Sequence, residues 1–154
     1  MIDHSTESAA ADKYLVFELG QELFATPLIE VRSVIEFHEA KPIPHTAPYY
    51  KGVINIRGEI VGVIDLRQRL NISGAEKPDC QLVFETEKGP LAATVDKVQA
   101  VAALPESDLD RKTAQADGGE DRAYFLGVGK YQGKLLTLIS LRRLAGAEKL
   151  TGIS

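Results

Sequence analysis

The chain has 154 residues, a net charge of −4, 44% hydrophobic residues, five Tyr, five Phe and no Trp, enough to bury about 70% of its unfolded surface in one domain or in two small lobes sharing a core. The acidic balance and the scarcity of stacking platforms argue against a nucleic-acid partner. One cysteine rules out an internal disulfide, and no segment approaches the ~18 apolar residues of a membrane span, so a cytoplasmic protein without membrane insertion is expected.

Residues 1–12 are polar, rich in Ala and Ser and without apolar periodicity, and read as a disordered leader. Tyr14–Leu19 has strand composition and runs through the turn Gly20-Gln21-Glu22 into Leu23-Phe24-Ala25, a hairpin. Pro27 belongs at a strand end, Leu28 to Val31 makes one helical turn, and Ser33 to Phe37 extends again. Three prolines between Lys41 and Pro48 impose an extended surface loop. Gly52–Ile56 and Glu59–Ile64 are strands joined at Arg57-Gly58, where glycine supplies the positive φ of a tight turn. Asp65 caps a short helix through Leu70. Cys80 precedes the apolar run Leu82–Phe84 and reads as a half-buried structural thiol rather than a nucleophile. Pro105 to Arg122 is an acidic loop with a helical turn near Ser107 to Leu109, and Leu141 to Leu150 is a terminal helix interrupted by Gly146 and capped by Ser140.

The chain repeats itself. Leu15–Ile35 aligns without a gap on Leu82–Ala102 with seven of 21 positions identical, and Tyr49–Arg67 aligns on Tyr124–Arg142 with seven of 19. Two pseudo-repeats follow, about 13–71 and 80–144, within one domain spanning 13–148 and leaving a tail of 149–154. About ten short strands in two groups of five predict a mainly β fold of two packed, five-stranded barrel lobes with short helices. Exchange of an edge strand between the lobes stays open. Positions that both copies share serve the fold; unusual chemistry in one copy only marks function. Arg57, with Gln132 as its counterpart, is the clearest such position.

Gly52-Val53, Asn55-Ile56-Arg57-Gly58 and Val63-Ile64-Asp65-Leu66-Arg67 resemble the G-V-x-N-L-R-G and V-I-D-L-R signature of CheW-like chemotaxis coupling proteins. The likeness extends to the opening strand at Leu15-Val16-Phe17, to Val95-Asp96 with Val98, and to Phe125-Leu126-Gly127, covering about Lys13 to Leu144. It implies SH3-like barrels and an adaptor without catalytic residues, cofactor or metal. The implied partners are the regulatory domain of a CheA-type histidine kinase, docked mainly on the first barrel, and the cytoplasmic hairpin tip of a methyl-accepting chemoreceptor, held in an apolar groove between the lobes. Recruitment to receptor arrays at the inner membrane face follows. Carried over by position, the interface residues are Arg57, Gly52, Asn55, Val31, Val34 and Ser33. Ser33 stands where the family has glutamate, Ile56 where it has leucine, and Gly62 where proline is common.

Simpler readings compete at several positions. Asp65 aligns with Ser140, so capping explains it better than acid catalysis. His38 and His45 match no metal-ligand spacing and read as surface residues. Val31 and Val34 recur as Val98 and Val101, so core packing accounts for them in both copies, and a groove contact rests on the resemblance alone. No nucleophile elbow, phosphate loop or dinucleotide fingerprint is present, and an enzyme is not expected. Two alternatives stay open: the same adaptor fold in a type IV pilus or other chemosensory-like pathway, and a small-molecule-binding β-barrel or hydrolase, which would need a dedicated polar pocket.

Overall fold

The computed structural model describes residues 12–44, 46–74, 77–112 and 123–148. The leader (but for Asp12), His45, most of the acidic loop and the 149–154 tail lie outside them. Among the described residues eleven strands form two sheets. In chain order they are β1 (Lys13–Leu19), β2 (Glu22–Pro27), β3 (Ser33–Glu36), β4 (Tyr50–Ile56), β5 (Glu59–Asp65), β6 (Cys80–Thr86), β7 (Gly89–Val95), β8 (Lys97–Ala103), β9 (Leu109–Asp110), β10 (Phe125–Tyr131) and β11 (Lys134–Ile139), with helices α1 (Leu66–Leu70) and α2 (Leu141–Glu148). The expected turn after Pro27 is a 3-10 turn at Leu28–Glu30, and a second lies at Glu106–Asp108.

Each lobe draws strands from both copies. One sheet runs β3-β6-β7-β5-β4 and the other β8-β1-β2-β11-β10-β9. The opening hairpin of copy one, β1–β2, therefore sits in the lobe of copy two, and β6–β7 sits in the lobe of copy one. The exchange involves a whole hairpin in each direction. The second sheet also has six strands rather than five, because Leu109 and Asp110 add a short ladder on Gly129 and Val128. Helix α2 runs unbroken through Gly146, contrary to the expected interruption.

Among the described residues neither sheet closes on itself, but in both lobes the chain beyond one edge strand bridges to the opposite edge in the same way. In lobe one β3 pairs with β6, and the chain beyond it reaches the far edge, where Lys41 and Val53 exchange hydrogen bonds of 2.8 and 3.0 Å. In lobe two β8 pairs with β1 and its continuation β9 pairs with β10. At each seam a bulge shifts the register, between Tyr50 and Gly52 and again between Phe125 and Gly127. Gly52 has φ +133° and Gly127 φ +142°. A Cβ on Gly52 would lie 1.9 Å from the Lys41 carbonyl oxygen, and one on Gly127 would lie 2.6 Å from that of Asp110. No other residue lets the two backbones meet there.

Strand alternation distributes the apolar residues among three cores. Ile54, Val61, Val63, Val83 and Ala92 fill lobe one, and Tyr14, Val16, Ala25, Leu104, Leu136 and Leu138 fill lobe two. The opposite faces of these strands, with Phe17, Leu19, Phe84 and Val95 among them, meet Leu141 and Leu144 of α2 in a larger core between the lobes. The interlobe space is thus packed, not open, and any groove must lie at its margin. Strands buried on both faces explain why Leu15-Val16-Phe17 and Leu82-Val83-Phe84 are unbroken apolar runs; each such side chain removed from water contributes about 1.5–3 kcal/mol.

The interlobe core carries a polar frame. Arg67 Nε lies 3.3 Å from Asp96 Oδ1, and Asp96 Oδ2 accepts the Gly20 N–H at 2.7 Å. Asp65 caps α1 by accepting the Gln68 N–H at 3.3 Å, and Ser140 caps α2 by accepting the Arg143 N–H at 3.1 Å. Ser140 Oγ also donates to the Glu30 carboxylate at 2.9 Å, which accepts the Arg142 N–H at 3.1 Å. Glu30, which the sequence did not single out, thereby ties the 3-10 turn before β3 to the start of α2. The Arg69 guanidinium lies over two equivalent rings, 5.7 Å from the Tyr49 centroid and 5.3 Å from that of Tyr124.

Candidate protein-interaction site

Arg57 and Gly58 are the central residues of the β4–β5 turn, with φ of +54° and +86°, and Gln132 and Gly133 repeat the conformation at +52° and +78°. These are the positive angles that a two-residue hairpin of right-handed twist demands. Asn55 Oδ1 accepts the Gly58 N–H at 2.8 Å and so holds the tip of copy one, where copy two has Lys130. The left-handed conformation costs a non-glycine residue about 1–2 kcal/mol. A shared backbone with different side chains shows that the turn itself does not require a guanidinium. Among the described residues no carboxylate pairs with Arg57, which is exposed.

A neighbouring arginine organises the surroundings of that tip. Arg32, just before β3, donates to Glu59 at 2.8 Å and to Glu85 at 2.5 Å. It joins the start of β3, the β4–β5 tip and the end of β6, which places Ser33 and Arg57 on one rim of lobe one. Ser33 is exposed, on a β3 position paired with Val83. Beyond β3 the chain is held by the buried Gln81 amide, which accepts the His38 N–H and donates to the His38 carbonyl, each at 2.9 Å. A buried glutamine with both ends satisfied fixes the course of the exposed strand. Nothing in the local pattern of β6 singled it out.

The valines divide. Val31 and its equivalent Val98 are partly buried against the interlobe core, as packing requires. Val34 is 46% exposed and its equivalent Val101 53%, so packing does not account for this pair. The sequence reading of Val34 as a core position is corrected: three residues beyond Val31 on a strand, a side chain points to the opposite face, and on edge strand β3 that face meets solvent. Ile29, on the 3-10 turn, is a further exposed aliphatic residue at 83%.

Gly52, placed by resemblance among the interface residues, is buried at the seam, and Gly127 does the same work in copy two. Its contribution to any interface passes through the Lys41–Val53 closure.

The titratable groups have structural employment. Burial pushes the Cys80 thiol up, reinforced by the Asp79 carboxylate, the opposite of what a nucleophilic cysteine needs. A polar cleft beside α1 is lined by Asp65, Arg67 and Gln68, but Asp65 is the helix cap and Arg67 pairs with Asp96. Arg111 binds Glu106 at 2.8 Å and holds that carboxyl below its usual range, anchoring the beginning of the acidic loop. Among the described residues no group of three or more His, Cys, Asp or Glu side chains is disposed to hold a metal, and no helix is long and apolar enough to cross a membrane.

Fold and site together define an interaction scaffold: two pseudo-equivalent β lobes clasped around a shared core, with an arginine-tipped rim on one lobe only. Residues 13–149 match the family model described as a CheW-like domain, and the chain belongs to that family. It is 25% identical over 142 residues to "Chemotaxis protein CheW" of Treponema pallidum, covering 88% of this chain and 83% of that one. It is 28% identical over 131 residues to the protein of the same name from Thermotoga maritima, covering 84% and 85%. Its structure is similar to the crystal structure of the scaffolding protein TtCheW from Thermoanaerobacter tengcongensis, with a TM-score of 0.75, 27% identity and 87% of each chain covered.

Proposed function

We propose that this protein is a non-catalytic cytoplasmic adaptor of chemotaxis signalling that joins the hairpin tips of methyl-accepting chemoreceptors to the regulatory domain of a CheA-type histidine kinase. Family membership and the two-lobed scaffold support that reading. The observation that carries the assignment of faces is the asymmetry of the hairpin tips: identical backbones, with arginine on lobe one and glutamine on lobe two.

The kinase domain docks on the lobe-one rim. Arg57 is its anchor, Asn55 holds the tip, Ser33 lies on the adjoining strand, and Gly52 keeps the barrel closed behind them. A guanidinium with no carboxylate partner among the described residues suits bidentate recognition of a partner's carboxylate. Arg32 engages both Glu59 and Glu85 beside it, offsetting half of their charge. The receptor hairpin lies along the margin of the interlobe core, where Val31 and Val98 are partly buried, and reaches the exposed Val34 and Val101 on the outward faces of β3 and β8. An amphipathic helix reads exposed aliphatic side chains of this kind through apolar contacts.

The mechanism is geometric. With both partners on one rigid body, a change in receptor packing alters the free energy of the kinase's two arrangements without chemistry in the adaptor, and the coupling cannot exceed the difference in contact energy between those arrangements.

The test is capture of a cognate kinase regulatory domain by wild type, Arg57→Glu and Gln132→Glu. Loss of a hot-spot arginine weakens binding by about 2 kcal/mol, roughly thirtyfold, whereas Gln132→Glu binds as wild type. A folded Arg57→Glu protein with undiminished affinity removes the rim from the reading. Val34→Asp separates the faces, reducing capture of the receptor hairpin more than that of the kinase domain.

A further inference from the structure

Each lobe fastens its edge strand to the end of the neighbouring strand in the same way. Arg32, leading into β3, donates to Glu85 at the end of β6, and Gln99 of β8 donates to Glu18 at the end of β1. In the alignment of the copies Arg32 corresponds to Gln99 and Glu85 to Glu18. One clasp is thus built twice, once with a guanidinium and once with a neutral amide. It needs a donor but no charge.

Lobe one adds a third member. Glu59 accepts from Arg32 at 2.8 Å, whereas its counterpart Lys134 carries donors only. Glu59 lies on the face of β5 that carries Val61 and Val63, and Glu85 on the face of β6 that carries Val83, so the triad stands at the end of the lobe-one core, beside the β4–β5 turn. Glu59 also follows the tip directly. Arg57 and Glu59 flank Gly58 with at most about 7 Å between their Cα atoms, and a carboxylate so placed is within reach of the Arg57 guanidinium. Pre-organisation decides between the two arginines. Arg32 Nη1 grips Glu85 while Nη2 meets Glu59, so the planar fork already ordered by one carboxylate presents its second nitrogen to the other. A pair between Arg57 and Glu59 would have to order two long side chains at the surface.

We propose that Arg32 is a positioning residue of the lobe-one rim: its charge holds Glu59 away from Arg57 and so keeps the Arg57 guanidinium open to a partner's carboxylate. The clasp to Glu85 is its structural duty, which an amide performs equally well in lobe two; the hold on Glu59 is the duty that requires an arginine. This inference rests on the reading of Arg57 as the anchor of the kinase domain and supplies the cause of its availability. With residue 32 neutral, strand, tip and clasp stay in place, and Glu59 turns to Arg57 and competes with the partner. Lobe two has no use for such a device, because Gln132 carries no charge to protect and Lys134 no carboxylate to restrain.

The test is calorimetric titration of a cognate kinase regulatory domain into full-length variants. Arg32→Gln copies the lobe-two clasp into lobe one and should weaken binding about fivefold, the strength of one surface ion pair acting as competitor. Glu59→Gln added to Arg32→Gln should restore wild-type affinity, since no competitor remains; a merely structural Arg32 gives no such rescue, because removing a second partner cannot mend a loosened strand. Undiminished binding by Arg32→Gln, or a loss that Glu59→Gln leaves in place, overturns the proposal. Arg57→Gln separates the two levels. If it weakens binding about thirtyfold while Arg32→Gln does not, this inference fails alone; if it binds as wild type, the assignment of the rim fails and this inference with it. A measurement without any partner stands beside these: exchange of the Arg57 Nε–H proton with water, followed by NMR, should be at least threefold slower in Arg32→Gln than in the double variant, and equal rates also overturn the proposal.

Discussion

Replacing Gly52 by alanine separates a residue that touches a partner from one that closes a barrel. The new Cβ would sit 1.9 Å from the Lys41 carbonyl oxygen on a backbone at φ +133°. Neither group is a flexible side chain, so the seam must open. Holding alanine at that φ costs about 1–3 kcal/mol, and losing the two Lys41–Val53 hydrogen bonds costs about 1 kcal/mol each. A total of about 3–5 kcal/mol is expected, which for a domain of this size lowers Tm by about 6–20 °C. Urea titration with unchanged m-value, together with a thermal melt, measures it. Two further glycines calibrate the result. Gly127→Ala meets Asp110 at 2.6 Å and should lose somewhat less, while Gly58→Ala, with open space around its Cβ, should lose about 1 kcal/mol from φ alone. A Gly52→Ala protein as stable as wild type that no longer bound the kinase domain would refute the seam reasoning and make Gly52 a contact.

Arg57→Gly should raise stability by up to about 1 kcal/mol, because it relieves the left-handed strain, while weakening kinase capture roughly thirtyfold; a denaturation curve and a pull-down on one preparation show the opposite signs. Glu30→Ala leaves Ser140 Oγ and the Arg142 N–H without their carboxylate, and chemical denaturation should report a loss of about 1–2 kcal/mol, with amide exchange in the first turn of α2 accelerating. Cys80 should react with iodoacetamide at pH 8 at least tenfold more slowly in the native protein than in denaturant, since burial keeps it protonated and shielded; equal rates would place the thiol at the surface.

Much of the local structure was legible in the residues. Asp65 and Ser140 cap their helices because a short side-chain oxygen before an apolar turn serves an orphan N–H in either chemical form. The Arg57-Gly58 and Gln132-Gly133 turns were legible because two residues between strands admit few conformations. Val34 was misread because recurrence in both copies was equated with burial, whereas duplicated edge strands recur exposed as readily as buried. Glu30 and Gln81 left no local signal: their partners lie 110 and 43 residues away.

The sequence by itself determined the duplication, the all-β character, the positions of the hairpins and the one tip at which the copies differ, since each depends on short-range pattern or on direct comparison of two segments. Tertiary structure alone decided which hairpin joins which lobe. Leu15-Val16-Phe17-Glu18 and Leu82-Val83-Phe84-Glu85 are the same four residue types, so either could complete either sheet at equal local free energy. Connection geometry and the packing of both hairpins into one interlobe core break that tie, and neither has a signature within any stretch short enough to read.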